Sequence, residues 1–155
     1  MESKGPVFFI QERVGKDNKI FYIYKFRTMI KDAPKVGPEL TEQNDPRITK
    51  IGNLFRRTSI DELPQLINIL KGEMSFIGPR PEIPSIVTTY TDEQRQVFKV
   101  RPGLSGWAQV NGRDELSIPE KLKFDIYYVN NVSFLFDLKI FFLTFPAVFS
   151  NRGIN

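Results

Sequence analysis

The chain has 155 residues, enough for one domain with a real hydrophobic core. It contains no cysteine and no histidine. That excludes disulfides, thiolate and imidazole metal sites and any Ser-His triad, and leaves acid–base work to carboxylates, lysines or tyrosines. A formal charge of +4 and a pI near 9.3 favour anionic partners: a nucleotide, a phosphate, nucleic acid or an anionic membrane surface.

In chain order, Pro6–Glu12 and Ile20–Met29 are rich in β-branched and aromatic residues, with turn chemistry between them at Val14–Lys19. They predict a β-hairpin. Lys25 and Arg27 alternate with Tyr24 and Phe26, giving that strand one basic and one apolar face. The basic face is either solvated or turned toward a phosphate or nucleotide. Lys31–Asn44 has prolines, a glycine and mixed charge without an apolar period, and reads as a surface loop. Asp45-Pro46 reads as an N-cap followed by Pro at the first helical position. The helix expected next covers about Ile48–Arg57 and delivers Arg56 and Arg57 to the following turn.

That turn opens the stretch around which the chain is organised, Arg56–Pro81. Ser59-Ile60-Asp61-Glu62 has the form of a capping box. Ile60, Leu63, Leu66, Ile67 and Leu70 recur at helical spacing, which predicts a helix that buries their face and stops at a left-handed Gly72. The apolar patch Met74–Ile77 then runs into Gly78-Pro79-Arg80-Pro81, where two prolines hold Arg80 on a stiff turn. Asp61 and Glu62 thus lie at a helix start with arginines on both flanks. Carboxylates there commonly do no more than complement the dipole, for about 0.3–1 kcal/mol. An ionised carboxylate beside arginines, with a metal ion available, is also what attack on a phosphoryl group requires. The residues alone leave both readings open.

A short helix is expected from Pro81 to about Tyr90, and Thr91–Gln94 forms a second capping-box pattern. Arg101–Arg113 holds three glycines, a proline and the only tryptophan. It is either an ordered loop packed under Trp107 or a loop whose arginines, Gln109 and Asn111 meet phosphate and uracil. Ser117-x-x-Glu120 opens a helix through about Tyr128 that carries Asp125, a surface charge or a site acid. Phe134–Phe149 is apolar almost all round but broken by Asp137, Lys139 and Pro146, too short and too charged to span a bilayer. It is either a core helix or one lying in a membrane interface.

Three ordered runs carry a family likeness: Asp61-Glu62, Lys71–Pro81 (KGEMSFIGPRP) and Arg101–Arg113 (RPGLSGWAQVNGR). They resemble the bacterial sugar transferase family, the monotopic phosphoglycosyl transferases, over about Gly5 to Phe149. With the elements above, the resemblance implies an α+β domain over 1–155, mostly helical, with one N-terminal β-hairpin and interfacial amphipathic helices. It implies transfer of a phospho-sugar from a UDP-sugar to polyprenyl (undecaprenyl) phosphate, with release of UMP. The place would be the cytoplasmic face of the bacterial inner membrane, at the first membrane step of a surface polysaccharide or glycoconjugate pathway.

Asp61 would be the nucleophile, attacking the β-phosphorus to give a phosphosugar-aspartyl enzyme, and Glu62 would orient it or serve as a base. Mg²⁺, or Mn²⁺ in its place, would be held by Asp61 and Glu62. Arg56, Arg80 and Arg101, then Lys25 and Arg113, would meet the phosphates, with Gln109 and Asn111 on the nucleotide. The resemblance also turns the basic strand face toward the nucleotide and Phe134–Phe149 toward the membrane. Family members carry an apolar segment before the equivalent of Gly5-Pro6 that dips into the bilayer and re-emerges on the same side. Met1–Lys4 stands there here, so the expectation is a fragment without that segment, able to be soluble. Two other classes compete: a basic nucleic-acid-binding module and a non-catalytic membrane scaffold. Acids among the arginines would repel a nucleic acid, so none is expected as a partner.

Overall fold

The computed structural model describes residues 3–38, 41–42, 45–112 and 115–149. Period-two patterning makes an antiparallel hairpin from β1 (Phe8–Val14) and β2 (Ile20–Phe26), in register from Phe8↔Phe26 to Val14↔Ile20. Its turn places Asp17 and Asn18 at φ 57° and 58°, a region these short polar side chains tolerate. Phe21 and Ile23 point inward, packing with Met74 and Ile69.

Beyond β2, a bridge pairs Met29 with Ile48, and the intervening chain contains α1 (Ala33–Val36). Asp45 does not cap a helix, contrary to expectation. Its carboxylate accepts Arg47 Nε at 2.9 Å, and Arg47 also donates to the carbonyls of Ala33 (3.1 Å) and Pro38 (2.8 Å). Hydrogen bonds from Arg47 hold the Asp45 carboxyl well below the usual range against its burial. Thr49 caps instead, accepting the Gly52 N–H at 2.9 Å, so α2 spans Lys50–Thr58.

Ser59 then adopts a left-handed conformation (φ 56°), and the chain enters a 3₁₀ helix, Ile60–Gln65, followed by α3 (Leu66–Leu70). The expected capping box is not made. Ser59 closes α2, donating its N–H to the Arg56 carbonyl at 3.1 Å, and the Glu62 side chain is drawn elsewhere. Pro64, which lacks an N–H, lies inside the 3₁₀ turn. Gly72 ends the segment at φ 77°, as the sequence predicts.

The polarity of this segment reverses the expectation. Leu63 and Leu70 are 50% and 88% exposed, and Ile60, Leu66 and Ile67 also face out, whereas Asp61, Gln65 and Asn68 are buried. Asn68 supplies the reason. Its carbonyl oxygen accepts the Tyr24 N–H at 3.2 Å, and its amide donates to the Tyr22 carbonyl and the Glu73 carboxylate, both at 2.7 Å. It is an extra rung on the edge of β2. The unmet hydrogen bonds of that edge, rather than apolar periodicity, choose which face turns inward.

A second sheet, absent from the sequence expectation, pairs β3 (Ser75–Ile77) with β4 (Gly103–Ser105) in parallel. A Cβ on Gly103 would lie 2.1 Å from the Gly78 nitrogen, so only glycine permits this approach. Between the strands run α4 (Pro84–Val87) and a 3₁₀ helix, Gln94–Lys99, entered through reciprocal bonds between Thr91 and Gln94. After β4 come α5 (Trp107–Val110), α6 (Ile118–Asn130) and α7 (Phe134–Phe149). The capping box at Ser117 and Glu120 forms as expected.

One core cluster joins Val14, Val87, Phe98 and Leu122, and another joins Ile77, Tyr128 and the fully buried Ile140 of α7. The architecture is α+β and mostly helical with an N-terminal hairpin. Among the described residues, no helix is long and apolar enough to cross a membrane.

Candidate active site

Glu62 lies at the junction of three elements. Its Oε1 accepts Lys25 Nζ from β2 and Arg80 Nη2 from the Pro79–Pro81 turn, each at 2.9 Å. Burial alone would raise the Glu62 carboxyl, but Arg80 and Lys25 outweigh it and hold the group well below the usual range. The same burial lowers the Lys25 ammonium, with the Glu62 charge opposing. Glu62 is therefore a fixed anion clamped between two cations.

Asp61 is only 8% exposed. Consecutive side chains on a 3₁₀ helix diverge by about 120°, so Asp61 and Glu62 line the same basin from different directions. Asp61 lines a basin of about 760 Å³ with Lys25, Arg56 and Arg80. Burial, then the Glu62 charge, push its carboxyl up, opposed in turn by Lys25, Arg56 and Arg80. An anionic ligand approaching Asp61 in this basin meets Lys25, Arg56 and Arg80, with Glu62 and Glu82 also in the wall.

The cations are placed by backbone fit. Thr49 donates its N–H and hydroxyl to the Thr28 carbonyl at 3.0 and 3.2 Å, and a Cβ on Gly52 would lie 1.9 Å from that oxygen. This glycine lets α2 lie against the end of the hairpin, where Arg56 Nε donates to Thr28 Oγ1 at 2.9 Å. The Arg80 turn is fastened on both sides: Gly78 N–H to the Ser105 carbonyl, Gly103 N–H to the Pro79 carbonyl, and Arg13 Nη1 to the Pro81 carbonyl, all at 2.9 Å.

A second cavity of about 480 Å³ adjoins the basin, with Ser59, Glu62, Arg80, Glu82 and Lys121 common to both. Gln109 lines this chamber, and neither polar atom of its side chain has a hydrogen-bond partner among the described residues. Asp125, 5% exposed, lines it too, with Oδ1 likewise unpartnered. Burial, then the Glu82 charge, push its carboxyl up to about 8 against Lys121 and Arg80.

The structure thus gathers Asp61, Glu62, Lys25, Arg56 and Arg80 and sets Gln109 in the adjoining chamber. It does not bring in Arg101 or Asn111. Arg101 is exposed with its guanidinium over Gly72, and Asn111 donates to the Trp107 carbonyl at 2.7 Å at the end of α5. Arg113 lies outside the described residues. Arg27 lines the basin, but its guanidinium donates to the Pro6 carbonyl at 2.7 Å and to Ser3. Arg13 and Lys121 were not expected. For Lys121 a signal existed: it stands four residues before Asp125, beside the inward stripe Ile118, Leu122 and Ile126.

Among the described residues, no group of three or more acidic side chains could cage a metal ion. Two adjacent carboxylates do suit a hard cation that takes its remaining ligands from phosphates and water.

The model of the bacterial sugar transferase family matches residues 1–151. The chain is 47% identical to the sugar transferase EpsL of Bacillus subtilis, over 97% of this chain and 74% of the relative. It is 45% identical to the UDP-glucose:undecaprenyl-phosphate glucose-1-phosphate transferase of Escherichia coli, over 99% of this chain and 35% of that one. For the UDP-N-acetylgalactosamine-undecaprenyl-phosphate N-acetylgalactosaminephosphotransferase of Aeromonas hydrophila the identity is 42%, over 99% of this chain and 38% of the relative. The chain belongs to the bacterial sugar transferase family, which makes it a transferase. It spans little more than a third of the length of the last two relatives.

Proposed function

We propose that this protein is a phosphoglycosyl transferase that moves a phospho-sugar from a UDP-sugar to polyprenyl phosphate by way of an aspartyl intermediate. The observation that carries this is Asp61, a carboxylate ringed by Lys25, Arg56 and Arg80 and backed by the clamped Glu62. An Asp61 oxygen attacks the phosphorus that bears the sugar, and the bond to the uridylate breaks with its electron pair, releasing UMP. An oxygen of the lipid phosphate then attacks the same phosphorus and frees the Asp61 carboxylate. The cations neutralise the phosphate oxygens, so that an anion can approach an anion. Glu62 keeps Lys25 and Arg80 in place and orients the site rather than accepting a proton, since those cations hold it ionised.

Magnesium would supply further charge neutralisation on the diphosphate. Asp61 is the residue best placed to hold it, with Glu62 second because it already answers two cations. The polyprenyl chain suits only the exposed side of the second chamber, whose wall there includes Leu63, Phe76, Phe141 and Phe145, each between 44% and 56% exposed. That leaves the enclosed polar atoms of Gln109 and Asp125 to another group. A wall that is apolar and open outward fits a membrane surface lying against it, at the cytoplasmic face where nucleotide sugars are made available. The step would serve a surface polysaccharide or glycoconjugate pathway, as the relatives' undecaprenyl-phosphate chemistry supports.

The test is intact-protein mass and UMP release, using full-length protein, a panel of UDP-sugars and Mg²⁺. A sugar-phosphate adduct should form without polyprenyl phosphate and disappear when it is added. Asp61→Asn should form none. An adduct on that variant, or normal turnover by it, would sink the assignment.

A further inference from the structure

Gln109 and Asp125 are polar residues of the second chamber that the proposed chemistry does not use. They come from different elements, α5 and α6, which pack against each other. Each leaves enclosed side-chain atoms without a hydrogen-bond partner among the described residues: both polar atoms of Gln109 and Oδ1 of Asp125. Buried polar atoms are nearly always paired in folded proteins, because leaving them unpaired is costly, so two such groups in one chamber point to a ligand. The chamber shares Glu62 and Arg80 with the basin, so a ligand with its phosphates at Arg80 can extend into it.

We infer that Gln109 and Asp125 read the uncharged part of the sugar nucleotide, binding a group that presents both a hydrogen-bond donor and an acceptor. This rests on the sugar-nucleotide reading of the Asp61 site. A phosphate oxygen offers only acceptors and would leave the Gln109 carbonyl oxygen without a donor. A uracil imide, an acetamido group or a sugar hydroxyl offers both. The Asp125 carboxyl, buried beside Glu82, favours its neutral form, which can donate as well as accept. The surrounding wall is apolar where Leu104, Ala108 and Leu122 line it, which suits an uncharged ring or pyranose and disfavours a second phosphate.

Titration calorimetry on the full-length protein tests this, with the best-bound UDP-sugar, UMP and inorganic pyrophosphate as probes. Gln109→Leu and Asp125→Leu should each weaken the UDP-sugar by about tenfold or more, while pyrophosphate affinity stays unchanged. Asp125→Asn, neutral and of the same shape, should stay within about threefold of wild type. An equal loss with UMP assigns the pair to uracil; UMP binding left intact assigns it to the sugar. Either result supports a reading site. Unchanged UDP-sugar affinity in Gln109→Leu, a parallel loss of pyrophosphate, or Asp125→Asn failing as badly as Asp125→Leu overturns it. If Asp125→Leu does not fold, the Gln109 variant decides alone. A wild-type protein that binds no UDP-sugar but still binds pyrophosphate would remove the sugar-nucleotide reading itself, a different failure.

Discussion

Asp61 and Glu62 are neighbours in sequence with opposite relations to the fold. Glu62 neutralises two partly buried cations, so Glu62→Gln leaves Lys25 and Arg80 facing each other across a lost charge. The expected cost is about 2 kcal/mol, read as a lower urea midpoint. Asp61 is pushed up by burial and by Glu62, so Asp61→Asn should keep or raise that midpoint while abolishing turnover. Equal stability losses in the two variants would show that the clamp is not centred on Glu62. Asp125 gives a pH test. Its folded value of about 8 lies above the ordinary 3.8, so the folded state binds the proton more tightly. The stability it contributes is full below the ordinary value and is lost as pH rises toward about 8. Wild type should therefore lose melting temperature relative to Asp125→Asn between about pH 5 and pH 9, and parallel curves would refute this.

At the scale of elements, what the sequence made legible was what is local. The hairpin and the Ser117 cap of α6 follow from periodicity and capping within a few residues, and the extent of α7 from a run that is apolar almost all round. The segment from Ile60 to Leu70 faces opposite to its apolar period because its partner is a strand edge far away in the chain. Asn68, a polar residue on a helical turn, carried no sign that it would complete that edge. The strands β3 and β4 are three residues each, too short to show a period. Gly52 is the contact that seats α2 against Thr28. Elsewhere in an exposed helix, Gly→Ala stabilises by about 0.5–1 kcal/mol. Here the added methyl meets the Thr28 carbonyl, so Gly52→Ala should destabilise by about 1–3 kcal/mol in urea unfolding. A stabilised variant would show that α2 can move away from Thr28 freely.

Across the whole molecule, the site draws on β2, the end of α2, the 3₁₀ turn, the Arg80 turn and α6. Five members of the basin were candidates in the sequence: Lys25, Arg56, Asp61, Glu62 and Arg80. Arg101 and Asn111 sit in an equally ordered run that the fold uses for β4 and α5, and neither reaches the basin. The exposed apolar residues of α7 remain the feature that solvent alone does not explain. Phe142 is 62% and Phe145 49% exposed, so serine at both should leave the melting temperature nearly unchanged while liposome binding falls. If these were core positions, each truncation would cost about 3–5 kcal/mol, and a collapse in stability would refute membrane contact. The parallel pairing of β3 with β4 has a consequence for the order of assembly. The hairpin closes over a short turn, whereas this pairing must first close a long loop, and such non-local contacts form late. Arg80 hangs from that pairing through Gly78 and Pro79, so the cation opposite Glu62 arrives last. Until then Asp61 and Glu62 have Lys25 and Arg56 nearby but lack Arg80, one of the three cations that oppose the rise of the Asp61 carboxyl. In refolding followed by pulsed hydrogen exchange, the Gly78 and Gly103 amides should gain protection after those of β2; simultaneous protection would contradict that order.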